Sequence, residues 1–254
     1  MRFSIPCKGH HDAYKSASRL LHRDINERNL EIWDRSVNED PQYGMKSTGV
    51  LIGWDNWTPT DEHGQELSEK DPLYLTLGTF RFMACELIRK DKILRHLYRH
   101  DLESFFYVLL WASIHYDFAN KERNPTQSYF RSWDRQEPSV EAQDAHYTKS
   151  MLMLDDLQEQ GICPLEGNKE LFENWVKPLH HLFWEANVRR LHVEAQGRPF
   201  DYDTYDGMLT FENVLYVLSR SYIPPFTPWG TRTRQYEDHG DITDFELGYP
   251  ETAR

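Results

Sequence analysis

The 254-residue chain is long enough to bury one substantial hydrophobic core, and it carries 41 acidic against 29 basic side chains for a formal charge of −12. A field of that sign repels phosphate backbones and anionic bilayers, so neither nucleic acid nor a membrane surface is an expected partner. Three scattered cysteines, Cys7, Cys85 and Cys163, supply neither a disulfide framework nor a four-ligand zinc site and point to a reducing, intracellular compartment.

The N-terminal text MRFSIPCKGHH lacks the apolar core of a signal peptide. The next residues, HHDAYKSASRLL, read as the end of a helix, as though the chain began mid-fold. Residues 21–57 alternate short apolar stretches (Leu20, Leu21, Leu30, Ile32, then Val50, Leu51, Ile52) with Asn, Asp and Gly turns, which predicts short strands and loops. An exposed acidic loop is expected from Thr58 to Pro72. The run Asp101 to Asp117 then has an aspartate at a helix-start position and apolar residues on every side, the pattern of a buried helix. Its apolar core, Phe105 to Ala112, is less than half of what a bilayer-spanning helix needs, so the chain reads as soluble.

Residues 118–149 give weak signals. Helices are predicted around Tyr147 to Gln160 and from Lys169 to Ala195, the latter on Leu171, Trp175, Leu179 and Leu182. A last helix from Thr210 to Ser221 opens on a Thr cap and stops at the Pro-rich IPPFTPWG. The expected organisation is one mainly helical body over residues 1–230 and a polar, disordered tail over 231–254.

The informative text is Leu21-His22-Arg23-Asp24-Ile25-Asn26-Glu27-Arg28-Asn29, an H-R-D followed by Asn in the spacing of a kinase catalytic loop. That chemistry needs a carboxylate to take the proton of a substrate hydroxyl, and a nearby amide to hold a magnesium ion bridging nucleotide phosphates. The competing reading is an ordinary polar turn, and downstream context decides between them. Gly49-Val50-Leu51-Ile52-Gly53-Trp54-Asp55 sits where a strand should deliver a metal-binding segment. Gly78-Thr79-Phe80-Arg81-Phe82-Met83-Ala84-Cys85-Glu86 follows, then Arg99-His100-Asp101-Leu102-Glu103-Ser104-Phe105-Phe106-Tyr107-Val108-Leu109-Leu110-Trp111. In this order the segments resemble the fungal-type protein kinase family, strongly over about residues 14–117 and more loosely to about 230.

The resemblance implies a mainly α fold, the large C-terminal lobe of a protein kinase with a few short β-strands around the catalytic loop. It makes Asp24 the catalytic base within His22-Arg23-Asp24, Asn29 a magnesium ligand, and Arg23 a partner for a phosphate or carboxylate on the activation segment. Thr79 matches the substrate-facing threonine of Ser/Thr kinases, Glu86 a glutamate that forms a buried ion pair, and Asp101 the aspartate that starts the central helix and braces the catalytic loop. ATP and magnesium are the implied cofactors, and a protein the implied substrate or partner.

The pattern also breaks. Gly53 stands where the family usually has the metal-binding aspartate, which removes the strongest magnesium ligand. Asp55 substitutes only if the backbone between them is extended. Asn26 stands where many Ser/Thr kinases have a lysine, a position the family often fills with a small polar residue. Only 21 residues precede His22 and no G-x-G occurs, so the nucleotide-binding small lobe, about 80 residues at ordinary strand and loop lengths, is expected to be absent. Two functions remain: an impaired ATP-dependent Ser/Thr phosphotransferase, or a pseudokinase or scaffold that binds protein.

Other candidates read as structural. His96 and His100 share i, i+4 spacing without the glutamate of a zinc motif, and are expected at the surface. His180 and His181 face different ways on one helix, the Phe105 to Trp111 cluster reads as core, and Cys85 as a packed small residue.

Overall fold

A computed structural model of the protein describes residues 4–36, 45–61, 80–88, 95–125, 127–133 and 140–219. The polar tail, Thr79 and most of the acidic loop after Thr58 lie outside the described residues.

Helix α1, Ser4–Lys15, tolerates Pro6 in its first turn, where an amide hydrogen has no helical acceptor. It turns Cys7, His10, His11 and Tyr14 inward at helical spacing, with His10 stacked on Tyr98 at 4.9 Å and His11 on Phe211 at 3.9 Å. Two antiparallel pairs follow. Strand β1, Leu20–Leu21, pairs with β4, Thr58–Pro59, while β2, Leu30–Ser36, and β3, Met45–Leu51, form a hairpin in register from Leu30 opposite Leu51 to Ser36 opposite Met45. Loop 22–29 therefore runs between β1 and β2, and residues 52–57 return from β3 to β4 beside it. The amide of Ile52 donates to the carbonyl of Asn29 at 2.9 Å and ties the two crossings together.

Helix α2, Tyr98–His115, is the axis of the core: every residue except Tyr98 and Ala112 is buried. It begins three residues earlier than the sequence predicts, because His100 Nδ1 accepts the amide hydrogen of Leu97 at 3.0 Å and closes the first turn. Asp101 is thus a buried residue of that first turn, not the residue that caps it. A short hairpin follows, β5, Tyr116–Asp117, against β6, Glu122–Arg123.

Helix α3 spans Val140–Leu152, some seven residues before the predicted start at Tyr147, and residues 153–161 are turns. The helix predicted over 169–195 is composite. A single α-helical turn, α4, Lys169–Leu171, passes into a π turn, Phe172–Val176, and then into α5, Lys177–Ala195. Pro178 accounts for the interruption, since it has no amide hydrogen to give and its ring crowds the preceding turn of a regular helix. Helix α6, Phe211–Ser219, buries Phe211, Val214 and Leu218, and Thr210 Oγ1 accepts the amide hydrogen of Asn213 as the expected cap. The described structure is thus mostly helical with a few short strands, and none of its helices is long and apolar enough to cross a membrane.

Residues 80–88 are fastened to this body by a buried cation. Lys149, on α3, donates to the carbonyls of Met83 at 2.6 Å and Arg81 at 3.1 Å, and its Nζ lies 3.7 Å from the ring centroid of Tyr107. Burial lowers its pKa, which the nearby carboxylate of Glu103 partly opposes. Glu103 in turn accepts the Cys85 amide hydrogen and the Tyr107 hydroxyl, both at 2.7 Å. Lys149→Met is expected to lower the unfolding free energy by about 3 kcal/mol, through two stranded carbonyls and a carboxylate without its cation. Exposed Tyr147→Ala, two residues away, should change it by under about 0.5 kcal/mol; urea denaturation at neutral pH measures both.

Candidate functional site

The site is built around the carboxylate of Asp101, which is fully buried at the start of α2. Its Oδ2 accepts the His22 amide hydrogen at 3.0 Å and His10 Nε2–H at 2.8 Å, and its Oδ1 accepts the Arg23 amide hydrogen at 3.2 Å and His96 Nε2–H at 2.8 Å. Burial alone would raise the pKa of this acid; the electrostatic attraction of His96 and the hydrogen bonds from His10 and His96 outweigh it and hold the group ionised. The two backbone bonds fix loop 22–29, where Arg23 takes a left-handed conformation at φ 69°. That conformation costs roughly 1–2 kcal/mol for a residue with a Cβ, and bonds to an ionised acceptor offset it.

His22 is neutral, its pKa lowered by burial. Its Nε2–H donates to the Ile52 carbonyl at 2.8 Å and its Nδ1 accepts the Asp24 amide hydrogen at 3.3 Å, so the ring braces the loop. The Arg23 guanidinium donates to Thr58 Oγ1 at 3.0 Å, on β4.

Asp24 and Asn29 come together. Asn29 Nδ2 donates to the Asp24 carbonyl at 2.7 Å and to Asp24 Oδ2 at 3.2 Å, while Asn26 Nδ2 donates to Asp24 Oδ1 at 2.9 Å. Asn26 Oδ1 accepts the amide hydrogens of Arg28 and Asn29. Both carboxylate oxygens of Asp24 are therefore held by side-chain amides, and Asn26, read in the sequence only as a missing lysine, organises the loop.

Gly53 adopts a left-handed conformation, φ 76° and ψ 40°, and opens a single 3-10 turn, Trp54–Asn56. A Cβ at this position would lie 2.3 Å from Asn29 Oδ1 and 2.5 Å from Asn29 Cγ, so the amide occupies the volume a side chain would need. The backbone from Gly53 to Asp55 is turned, not extended, and Asp55 is exposed. The condition under which Asp55 could stand in for the missing aspartate is not met. Magnesium demands near-octahedral oxygen ligands, carboxylates foremost. Here Gly53 offers none, Asn29 turns its N–H group to Asp24, and among the described residues no three His, Cys, Asp or Glu side chains converge on one point. The described residues do not fit the ion.

Glu86 is clamped from two directions. Arg99 Nη2 donates to its Oε2 at 2.6 Å, His100 Nε2–H to the same oxygen at 3.3 Å, and the Tyr205 hydroxyl to its Oε1. Burial opposes ionisation, but the His100 hydrogen bond and the Arg99 charge win and hold Glu86 well below the carboxylate range. His100 is pushed down to about 3 by burial and by the Arg99 charge, so it stays neutral. Contrary to the surface placement expected for them, His96 and His100 are both buried and bond different carboxylates. Cys85 is packed as expected, its thiol raised to about 12 by burial.

Residues 6–113 match the family model for fungal protein kinase. Over this stretch the chain is similar to part of a fungal-type protein kinase domain. The matched region takes in all but the first two residues of α1, loop 22–29, Gly53, Glu86 and all but the last two residues of α2, and covers less than half of the chain. No curated protein matches the chain at a significant level. Sequence reading passed over His10 and Lys149 and read Asn26 only for the lysine it replaces; the partners of all three lie on a distant element or across a turn, which spacing alone does not reveal.

Gly53→Ala is expected to destabilise the protein by about 1–2 kcal/mol from its positive φ, plus a further penalty for displacing Asn29. In an Asn29→Ala background that second part should vanish, which a double-mutant cycle by chemical denaturation measures. The acid response follows from the three shifts. Asp101 and Glu86 titrate below their ordinary 3.8 and 4.5, so their stabilisation is complete above those values and is lost as pH falls beneath them. His100 titrates near 3 against 6.5, so the unfolded chain takes that proton first and stability declines from about pH 6.5 downward. Urea midpoints should fall throughout that range. Asp101→Asn should cost about 3 kcal/mol at neutral pH and flatten the curve below about pH 4.

Proposed function

We propose that residues 1–230 form the large lobe of a protein-kinase-like fold that keeps its polypeptide-facing loop and has lost its metal chemistry, acting as a pseudokinase-type protein-binding module. The observation that carries this reading is Asn29 lodged against Gly53, where a metal-binding aspartate would stand, with its amide turned to Asp24. A loop that satisfies its own carboxylate with Asn26 and Asn29 needs no cation to hold its shape. The tail over 231–254 is outside this body in the proposal.

The second reading is an impaired ATP-dependent phosphotransferase acting on Ser/Thr hydroxyls, with Asp24 as base. What favours it is the fixed orientation of the Asp24 carboxylate on a loop braced by Asp101. Its preference for hydroxyl substrates rests on Thr79, outside the described residues.

Thermal denaturation with ATP, with and without magnesium, separates the two. The binding-module reading expects a magnesium-dependent rise in Tm below about 1 °C in the starting chain and in Asp24→Ala alike, with no labelled phosphate transferred to protein. A rise of several degrees that disappears in Asp24→Ala would return the chain to the phosphotransferases.

A further inference from the structure

We propose that residues 80–88 and helix α3 form a proton-linked catch: as these residues close over Lys149, its side chain gives up a proton to solvent, and the segment is held more firmly as pH rises above neutral. The observations are separate from those at Asp24 and Gly53, so the catch stands under either reading of the function.

The geometry suits an amine better than an ammonium. Lys149 is fully buried on α3, and its Nζ donates to the carbonyls of Met83 at 2.6 Å and Arg81 at 3.1 Å. The rest of its surroundings are aromatic, with the ring centroid of Tyr107 at 3.7 Å and that of Trp133 at 4.6 Å. Among the described residues no carboxylate is in ion-pair contact with it. An ammonium brings three hydrogens and a full charge to this place; a neutral amine brings two hydrogens, one for each carbonyl. Loss of the proton therefore weakens the contact with the rings and breaks no hydrogen bond, while it removes a charge that burial penalises.

The groups around it do little to retain that charge. On α2, Glu103 accepts the Tyr107 hydroxyl and the Cys85 amide hydrogen, both at 2.7 Å, and burial raises its own pKa. Residues 80–88 bring Cys85, whose thiol burial keeps neutral, Arg81, whose guanidinium turns to Glu27, and Glu86, taken up by Arg99 and His100. Helix α3 adds the Ser150 hydroxyl and the His146 carbonyl, both in contact with the Cys85 thiol, and the 3-10 turn Ser128–Trp133 adds an indole ring. Burial thus outweighs the attraction of Glu103 and lowers Lys149 to about 7. With the segment open, the side chain meets water and titrates at its ordinary 10.5. Between those values the open form binds more protons than the closed one, so closure gains with rising pH, by up to about tenfold per unit; below them both forms hold the proton and this group adds no dependence. Glu103 acts in the opposite sense, from its ordinary 4.5 upward.

Cys85 reports the opening, because its thiol is packed against Ser150 on α3, and exposed Cys163 is the reference for thiolate reactivity. The full chain is labelled with iodoacetamide between about pH 7 and 9, and the two sites are separated by peptide mass spectrometry. The ratio of the Cys85 rate to the Cys163 rate should fall about tenfold or more in the starting chain. In Lys149→Gln, whose amide offers two hydrogens and has no proton to release, it should change by under about twofold. With isotope-labelled lysine, NMR should show one Cε resonance with a midpoint within about one unit of 7, absent in Lys149→Gln and moved lower in Glu103→Gln, which removes the opposing attraction. Lysine midpoints all above about 9.5, a Cys85 ratio indifferent to pH, or one equally dependent on pH in Lys149→Gln overturns the proposal. The lysine titration of the starting chain needs no variant, so it decides even where Lys149→Gln does not fold.

Discussion

A carboxylate sealed from water at the start of the central helix constrains the rest of the site. Unpaired, such a charge would cost several kcal/mol, so it must collect donors. Asp101 collects four: one imidazole from α1, one from the approach to α2, and two consecutive backbone amides from loop 22–29. Each donor brings its own segment with it. The loop is thereby pinned above the helix, Arg23 is held left-handed, and Asp24 emerges on the open side next to Asn26 and Asn29. The same helix turn places Arg99 and His100 on Glu86, so its first residues position both the loop and residues 80–88.

Much of this was legible in the sequence where pattern and packing coincide. The apolar run from Phe105 to Trp111 announces a helix buried all round, and the order of motifs announces the loop and the turn at Glu86. What escaped were features whose cause lies on another element. His96 and His100 look like surface histidines until Asp101 and Glu86 are folded against them. Helix α3 was displaced in the reading because it buries a lysine, and carries a threonine bonded back to the Asp144 carbonyl, in place of a clean apolar stripe. The start of α2 moved because a histidine ring, not an aspartate, closes its first turn. Pro178 was visible, but its accommodation by a π turn depends on a helix that continues on both sides.

Glycine at residue 53 allows a left-handed turn and leaves a volume beside it, and Asn29 fills that space while binding Asp24. An aspartate placed there would meet an occupied position. The local physics is self-consistent without a cation: amide donors replace the positive charge that a carboxylate at residue 24 would otherwise seek.

Residues 80–88 also show where the cooperative unit ends. Their carbonyls are held by Lys149, Glu86 by Tyr205, and Arg99 by the carbonyl of Tyr202, all contributed by chain far beyond residue 113. The stretch that carries the family signature is therefore not a separable foldon: excised at its own boundaries, it would retain the braced loop but release the strap beneath it. Heredity, as written in the motifs, and cooperativity, as written in the hydrogen bonds, draw different borders through this protein.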